Sequence, residues 1–163
     1  MILERRIALK NVGRINPLRI DDYMSTGGYE ALKKTLQFPP EKIIFELIQS
    51  GLRGRGGAGF STGLKKKFTS DATCQLLECM RYIVCNADEG DPGAFMNRTI
   101  IESDPYQIFE GLIIGAYATG ANQGIIYNRA EYPLAIETFN AAINILEEHN
   151  LLGRNILGIE SFN

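Results

Sequence analysis

Two strand-length apolar runs, Tyr82-Ile83-Val84-Cys85 and Gly124-Ile125-Ile126-Tyr127, constrain this 163-residue chain more than any other feature, because a full helix separates them. Between them Asp104-Pro105 supplies a helix cap followed by proline in the first turn. Ile108, Phe109, Leu112, Ile113, Ala116 and Tyr117 then recur with a period near 3.6. A second helix opens at Pro133, with Leu134, Ile136, Phe139, Ala142, Ile143 and Leu146 as its apolar set. Strands joined through a helix cannot form a hairpin, so they pair in parallel through a right-handed crossover. The fold class predicted is α/β: an open, mostly parallel sheet with flanking helices, a partial Rossmann-like domain. Ligands of such sheets collect at the carboxyl ends of the strands, where Asn86 to Asp91 lies.

The first 25 residues show no period and read as an irregular arm. A short helix is predicted around Tyr29 to Leu36. A better one opens at Pro39-Pro40-Glu41, with Ile43, Ile44, Leu47 and Ile48 on one face and Gly51 at its left-handed end. A glycine-rich loop follows, and Thr62 to Phe68 resumes helix. Residues 1–50 thus form a helical arm and 51–163 an α/β part, with no repeat, low-complexity tract or linker between them.

Composition narrows the function classes. With 45% hydrophobic and 22% charged residues, and 17 Gly against 6 Pro, the chain is an ordinary globular one, which excludes disordered, collagen-like and coiled-coil readings. A net charge of −2 argues against nucleic acid as a partner. No apolar run nears the roughly 20 residues a bilayer requires, and no export signal opens the chain. A cytoplasmic protein without direct membrane insertion is expected. Cys74, Cys79 and Cys85 are odd in number and spaced C-x4-C-x5-C, unlike a disulfide framework or a compact metal or cluster motif, so no metal ligand is assigned. His149 falls near a helix end, where positive charge suits the dipole.

Two loops carry candidate chemistry. Gly54-Arg55-Gly56-Gly57-Ala58-Gly59 matches G-x-G-x-x-G, whose bare backbone lets a phosphate approach and meet N–H groups. A helix precedes it where the dinucleotide fingerprint has a strand, and Leu64 follows Gly63 where a P-loop has lysine. Lys65 follows soon after and can neutralise charge. A plain exposed turn, or an arginine–glycine RNA patch, stays open on these residues alone. Asn86-Ala87-Asp88-Glu89-Gly90-Asp91 offers an amide and three carboxylates that suit vicinal hydroxyls or a hard cation; a solvated acidic turn is the alternative. Phe60 and Phe68 flank Lys65 and can stack on a flat base, or simply serve as core.

The combination is more specific than its parts. Gly51-Leu-Arg-Gly-Arg-Gly-Gly-Ala-Gly-Phe60, then Thr62-Gly63-Leu64-Lys65, then Cys85-Asn-Ala-Asp-Glu-Gly-Asp-Pro-Gly-Ala-Phe95, closely resemble the flavin-carrying NADH dehydrogenase subunit of respiratory complex I and its NAD(P)-linked hydrogenase relatives. The resemblance continues through Glu110-Gly111, Tyr127 to Tyr132 around Arg129-Ala130-Glu131, and Leu151-Leu-Gly-Arg-Asn155. Gly90 to Met96 is nearer the hydrogenase branch. Ser61 stands where proline is usual, Lys66 where an aromatic is common, and Asn97 where Asp is frequent.

The resemblance implies FMN and NAD(P)H as cofactor and substrate. It places the loop that wraps the FMN phosphate and the NADH face on Gly54, Gly56, Gly57 and Ala58, with Lys65 near the flavin phosphate. Asn86, Asp88 and Glu89 would hold the ribityl chain and ring edge, and Asp91 the nicotinamide side; Arg55 and Gly90 are counted among the cofactor-binding residues. Phe60 and Phe68 would clasp the NADH adenine. The implied reaction is hydride transfer from nicotinamide to flavin, then one-electron steps into iron–sulfur partner subunits, with no side chain acting as acid or base. The family continues into a Cys-Gly-Glu-Glu segment, a ubiquitin-like domain and a domain holding a 4Fe–4S cluster, none of it in this sequence and the cluster not ligated by this chain. The expected role is therefore that of an N-terminal part of such a subunit. A non-catalytic fragment serving only as a folded interaction or assembly module is the alternative.

Overall fold

A computed structural model describes residues 5–72 and 80–159. Its described elements run α1 (Ile20–Ser25), α2 (Glu30–Thr35), α3 (Pro40–Gln49), α4 (Thr62–Asp71), β1 (Tyr82–Asn86), α5 (Met96–Ser103), α6 (Pro105–Thr119), β2 (Gln123–Tyr127) and α7 (Pro133–Glu148), closed by a 3-10 turn at Ile156–Gly158. β1 and β2 pair as a two-stranded sheet. Asn122 N–H donates to the Arg81 carbonyl at 3.2 Å and Ala87 N–H to the Tyr127 carbonyl at 2.8 Å. Both strands ascend together, so the sheet is parallel, as expected for strands separated by helices. Cys74 and Cys79 lie outside the described residues.

The described chain divides into two compact units, neither of them one continuous stretch. One comprises residues up to 29, 86–110 and 126 onward; the other comprises 30–85 and 111–125.

In the first unit a buried tyrosine cluster organises the N-terminal segment. Tyr23 meets Tyr29 edge-on at 5.2 Å and lies tilted against Tyr106 at 5.9 Å between ring centroids. Its hydroxyl donates to Glu110 Oε2 at 2.6 Å, and Tyr29 N–H donates to the same oxygen at 3.0 Å. Burial, reinforced by that carboxylate, pushes both phenols far above the ordinary tyrosine value, so neither ionises at working pH. Residues 5–19 are irregular, as expected, and the expectation of an irregular arm fails only at α1. α1 is too short to show a period, and it is held because Tyr23 is buried against Glu110 and Tyr106, far away in sequence. Asp104 caps α6 by accepting from Gln107 N–H at 3.2 Å, and its second oxygen accepts from Asn11 Nδ2 at 2.8 Å. Farther along, Phe109 and Phe139 pack edge-to-face at 5.7 Å.

In the second unit Ile43 and Ile44 of α3 bury against Ala118 of α6, with Leu47, Ile48, Phe38 and Ile114 around them. α3 ends as proline and glycine specify: Pro40 stands in its first turn, and Gly51 beyond its cap adopts φ 65°. α4 packs so closely on α3 that a Cβ on Gly63 would stand 2.5 Å from the Ile48 nitrogen. Gly63→Ala is therefore expected to cost about 1–3 kcal/mol by overpacking, read as a lower urea midpoint with an unchanged slope.

Candidate functional site

The glycine ribbon belongs to the second unit. Arg53 and Ser61 form an antiparallel bridge, with Gly54 N–H donating to the Phe60 carbonyl and Thr62 N–H to the Leu52 carbonyl, each at 2.9 Å. The ribbon therefore leaves and returns at one point. Arg53 Nη1 spans it to the Gly59 carbonyl at 3.2 Å. The exit leads directly into α4, whose N-cap Ser61 accepts from Leu64 N–H at 3.3 Å. Residues 51–58 are all exposed. Gly54, Arg55, Gly56, Gly57 and Ala58 accordingly present open backbone ahead of a helix N-terminus, the setting in which N–H groups and helix dipole favour an anion.

The glycines in this ribbon answer to two different demands. Gly57 and Gly59 take φ of 105° and 61°, which a side chain would strain. Gly54 and Gly56 do not. A Cβ on Gly56 would meet nothing within 4 Å, and one on Gly54 only the Phe60 carbonyl at an ordinary 3.7 Å. Nothing in the described residues requires glycine at these two positions, so the bare backbone there leaves room for something outside the chain.

Phe60 and Phe68 are both more than half exposed, with ring centroids 6.3 Å apart and planes inclined by 44°. A flat base sandwiched between two rings needs about 7 Å, twice a carbon contact distance, and parallel planes. The pair is tilted 44° away from that parallel geometry, and its exposure sets it apart from core. Lys65 is exposed on the first turn of α4. Lys66 is not: its ammonium lies over Gly115, 3.1 Å from where a Cβ would stand. Burial, with Lys65 beside it, holds that ammonium below the ordinary lysine value. The sequence pointed to Lys66 only as a departure from an aromatic.

The acidic turn belongs to the first unit and is tightly held. Asn86 Oδ1 accepts from Asp88 N–H at 3.1 Å, folding the turn back on the end of β1. Glu89 is 7% exposed; its oxygens accept from Asn97 N–H at 2.9 Å and Arg98 N–H at 3.2 Å. The carboxylate therefore caps α5, whose own N-cap residue, Phe95, has no side chain able to do so. Asn97 Nδ2 donates to the Asp88 carbonyl at 3.0 Å. With Glu89 occupied, Asp88, Asn86, exposed Gly90 and exposed Asp91 are the groups of this turn with surface to offer. Two residues outside both loops enter here: Asn97, and Arg129, whose Nη1 donates to the Glu89 carbonyl at 2.6 Å. Both stood within sequence stretches already singled out, but no local pattern showed what they touch.

Cys85 is half-buried, and burial pushes its thiol up, away from the reactive thiolate. His149 caps α7, its ring nitrogen 2.8 Å from the Ile145 carbonyl. Among the described residues no group of three or more His, Cys, Asp or Glu side chains could hold a metal ion, and no helix is long and apolar enough to cross a membrane.

A parallel strand pair flanked by helices is an α/β architecture, the kind in which ligands collect at the carboxyl ends of strands. The family model described as the Nuo51 FMN-binding domain matches residues 47–160, and the chain belongs to that family. It is 48% identical over 153 residues to the NADP-reducing hydrogenase subunit HndC of Solidesulfovibrio fructosivorans, covering 94% of this chain and 30% of that protein. It is 49% identical over 139 residues to an NADH-quinone oxidoreductase subunit of Aquifex aeolicus, covering 85% of this chain and 32% of the relative. Among solved structures, an NAD+-reducing NiFe-hydrogenase in the H2-reduced state superposes with a TM-score of 0.66 at 30% identity, covering 88% of this chain and 23% of the other. The chain spans about a third of the length of these curated relatives.

Lys66 yields a test independent of any ligand. Its lowered value in the folded state means that folding disfavours the charged form. That penalty is present in full at neutral pH and fades as pH rises toward the ordinary lysine value. Lys66→Met is expected to raise stability at neutral pH by on the order of 1 kcal/mol, the advantage shrinking by about pH 10 in denaturant titrations.

Proposed function

We propose that this chain is the FMN-binding part of an NAD(P)H dehydrogenase subunit of the complex I or NAD(P)-linked hydrogenase type, handing electrons to iron–sulfur partner subunits. The observation that carries the reading is the pair of glycines, Gly54 and Gly56, whose bareness serves no contact or backbone conformation of the chain itself. A phosphate-bearing cofactor brought against the ribbon uses that space, meeting the exposed backbone of residues 54–58 and the nearby Lys65 ammonium.

FMN, when bound, supplies the chemistry: it accepts the hydride of NAD(P)H and releases electrons singly. The protein's residues bind and orient. Gly54, Arg55, Gly56, Gly57 and Ala58 cradle phosphate, and Lys65 offsets its charge. Asn86 and Asp88 accept hydrogen bonds from polyol hydroxyls, with Gly90 leaving the approach bare and Asp91 reaching toward the nicotinamide side. Glu89 acts from behind, keeping the turn in shape through its bonds to α5. Phe60 and Phe68 turn toward parallel to take the adenine ring between them. No acid or base would be required of the chain, whose residues would bind and orient cofactor and substrate.

The test is flavin uptake. The purified chain is expected to bind FMN and quench its fluorescence. Gly56→Val should weaken that binding by about tenfold or more while leaving the melting temperature unchanged, because a Cβ there meets nothing within 4 Å among the described residues. No uptake by the intact fold at high micromolar flavin would sink the proposal. A purely non-catalytic assembly module is separated by NADH–ferricyanide turnover, which it cannot support.

A further inference from the structure

Four residues form a closed circuit around the acidic turn, two of its links running through main-chain atoms. The Glu89 carboxylate accepts from Arg98 N–H at 3.2 Å. The Arg98 guanidinium lies over the Tyr132 ring at 5.4 Å, and the Arg129 guanidinium over the same ring at 5.6 Å. Arg129 Nη1 then returns to the Glu89 carbonyl at 2.6 Å, the shortest bond in the circuit. Arg129 also sits 3.8 Å from Asp88 Oδ1 and 3.4 Å from Glu131 Oε1. These two ion pairs are partly exposed, and exposed pairs contribute little. The weight rests on the short charge-assisted bond to a main-chain carbonyl, which fixes backbone and not merely charge.

We propose that Arg129 is the positioning residue of the acidic turn: its planar fork pins the Glu89 backbone so that the Glu89 carboxylate caps α5 while the Asp88 carboxylate stays outward to meet a bound polyol. The part concerning the polyol rests on the FMN reading above; the pinning of the turn does not. Tyr132 is the platform that the two guanidiniums share through cation–π contacts. Lysine cannot replace arginine here, because a single ammonium lacks the fork needed to reach a carbonyl and stay stacked. Arg129 belongs to neither candidate loop, and its partner is forty positions away in sequence.

The experiment compares wild type, Arg129→Met and Arg129→Lys by hydrogen exchange of the flavin-free protein across residues 86–98, and by FMN dissociation constant. Exchange across α7, where Ala142 and Leu146 are fully buried, reports whether the fold is intact. Both variants are expected to speed exchange at the Asn97 and Arg98 amides by about tenfold and to weaken FMN by a similar factor, with α7 unchanged. Wild-type exchange and affinity in Arg129→Met would overturn the proposal, and so would full rescue of both by Arg129→Lys, since charge alone would then suffice. If Arg129→Met does not fold, Tyr132→Leu removes only the platform and is read against the same two outcomes. Should wild type take up no FMN, the functional reading falls, while the exchange comparison still decides whether Arg129 pins the turn.

Discussion

The capping of α5 by Glu89 is the interaction on which the first unit's candidate site depends. A helix start leaves N–H groups without intrahelical partners, and Phe95 at the cap position cannot supply one. A buried carboxylate with no partner would be costly in turn. Each defect cures the other. The bond pair from Asn97 and Arg98 satisfies the charge and the helix end at once, and the helix dipole adds to the attraction. Because Glu89 is spoken for, the turn it belongs to has one inward carboxylate and others left outward, a division of labour that three acidic residues within four positions do not by themselves announce. Asn86, Asn97 and Arg129 then hold the main chain at successive points, so the outward groups are presented from a rigid base.

The second unit solves a different problem with glycine. Gly63 is bare because α3 is already there, Ile48 occupying the place a side chain would take. Gly57 and Gly59 are bare because their backbone turns left-handed. Gly54 and Gly56 fit neither account. On an exposed ribbon pinned at both ends and running into a helix N-terminus, neither meets anything among the described residues that demands glycine. Close by, Lys66 shows the cost of proximity: Gly115 makes room for its stem, but the ammonium is left partly desolvated and its charged form disfavoured.

The amino-acid sequence by itself determined the elements whose signals are local. α3, α6 and α7 follow from apolar periodicity and from prolines in first turns, β1 and β2 from β-rich runs, and the parallel pairing from the helix between them. The glycine ribbon and the acidic turn were legible as motifs because close spacing along the chain is what makes them. Tertiary structure decided what depends on partners distant in sequence. α1 has too few residues for a period and stands on Tyr23 reaching Glu110; α5 lacks a local cap and takes one from Glu89. Only the fold could show which carboxylate is buried and which faces outward, or that Arg129 closes on a carbonyl forty residues earlier. Propensity and spacing are properties of neighbours along the chain, whereas a buried charge is satisfied by whatever the fold brings within about 3 Å of it.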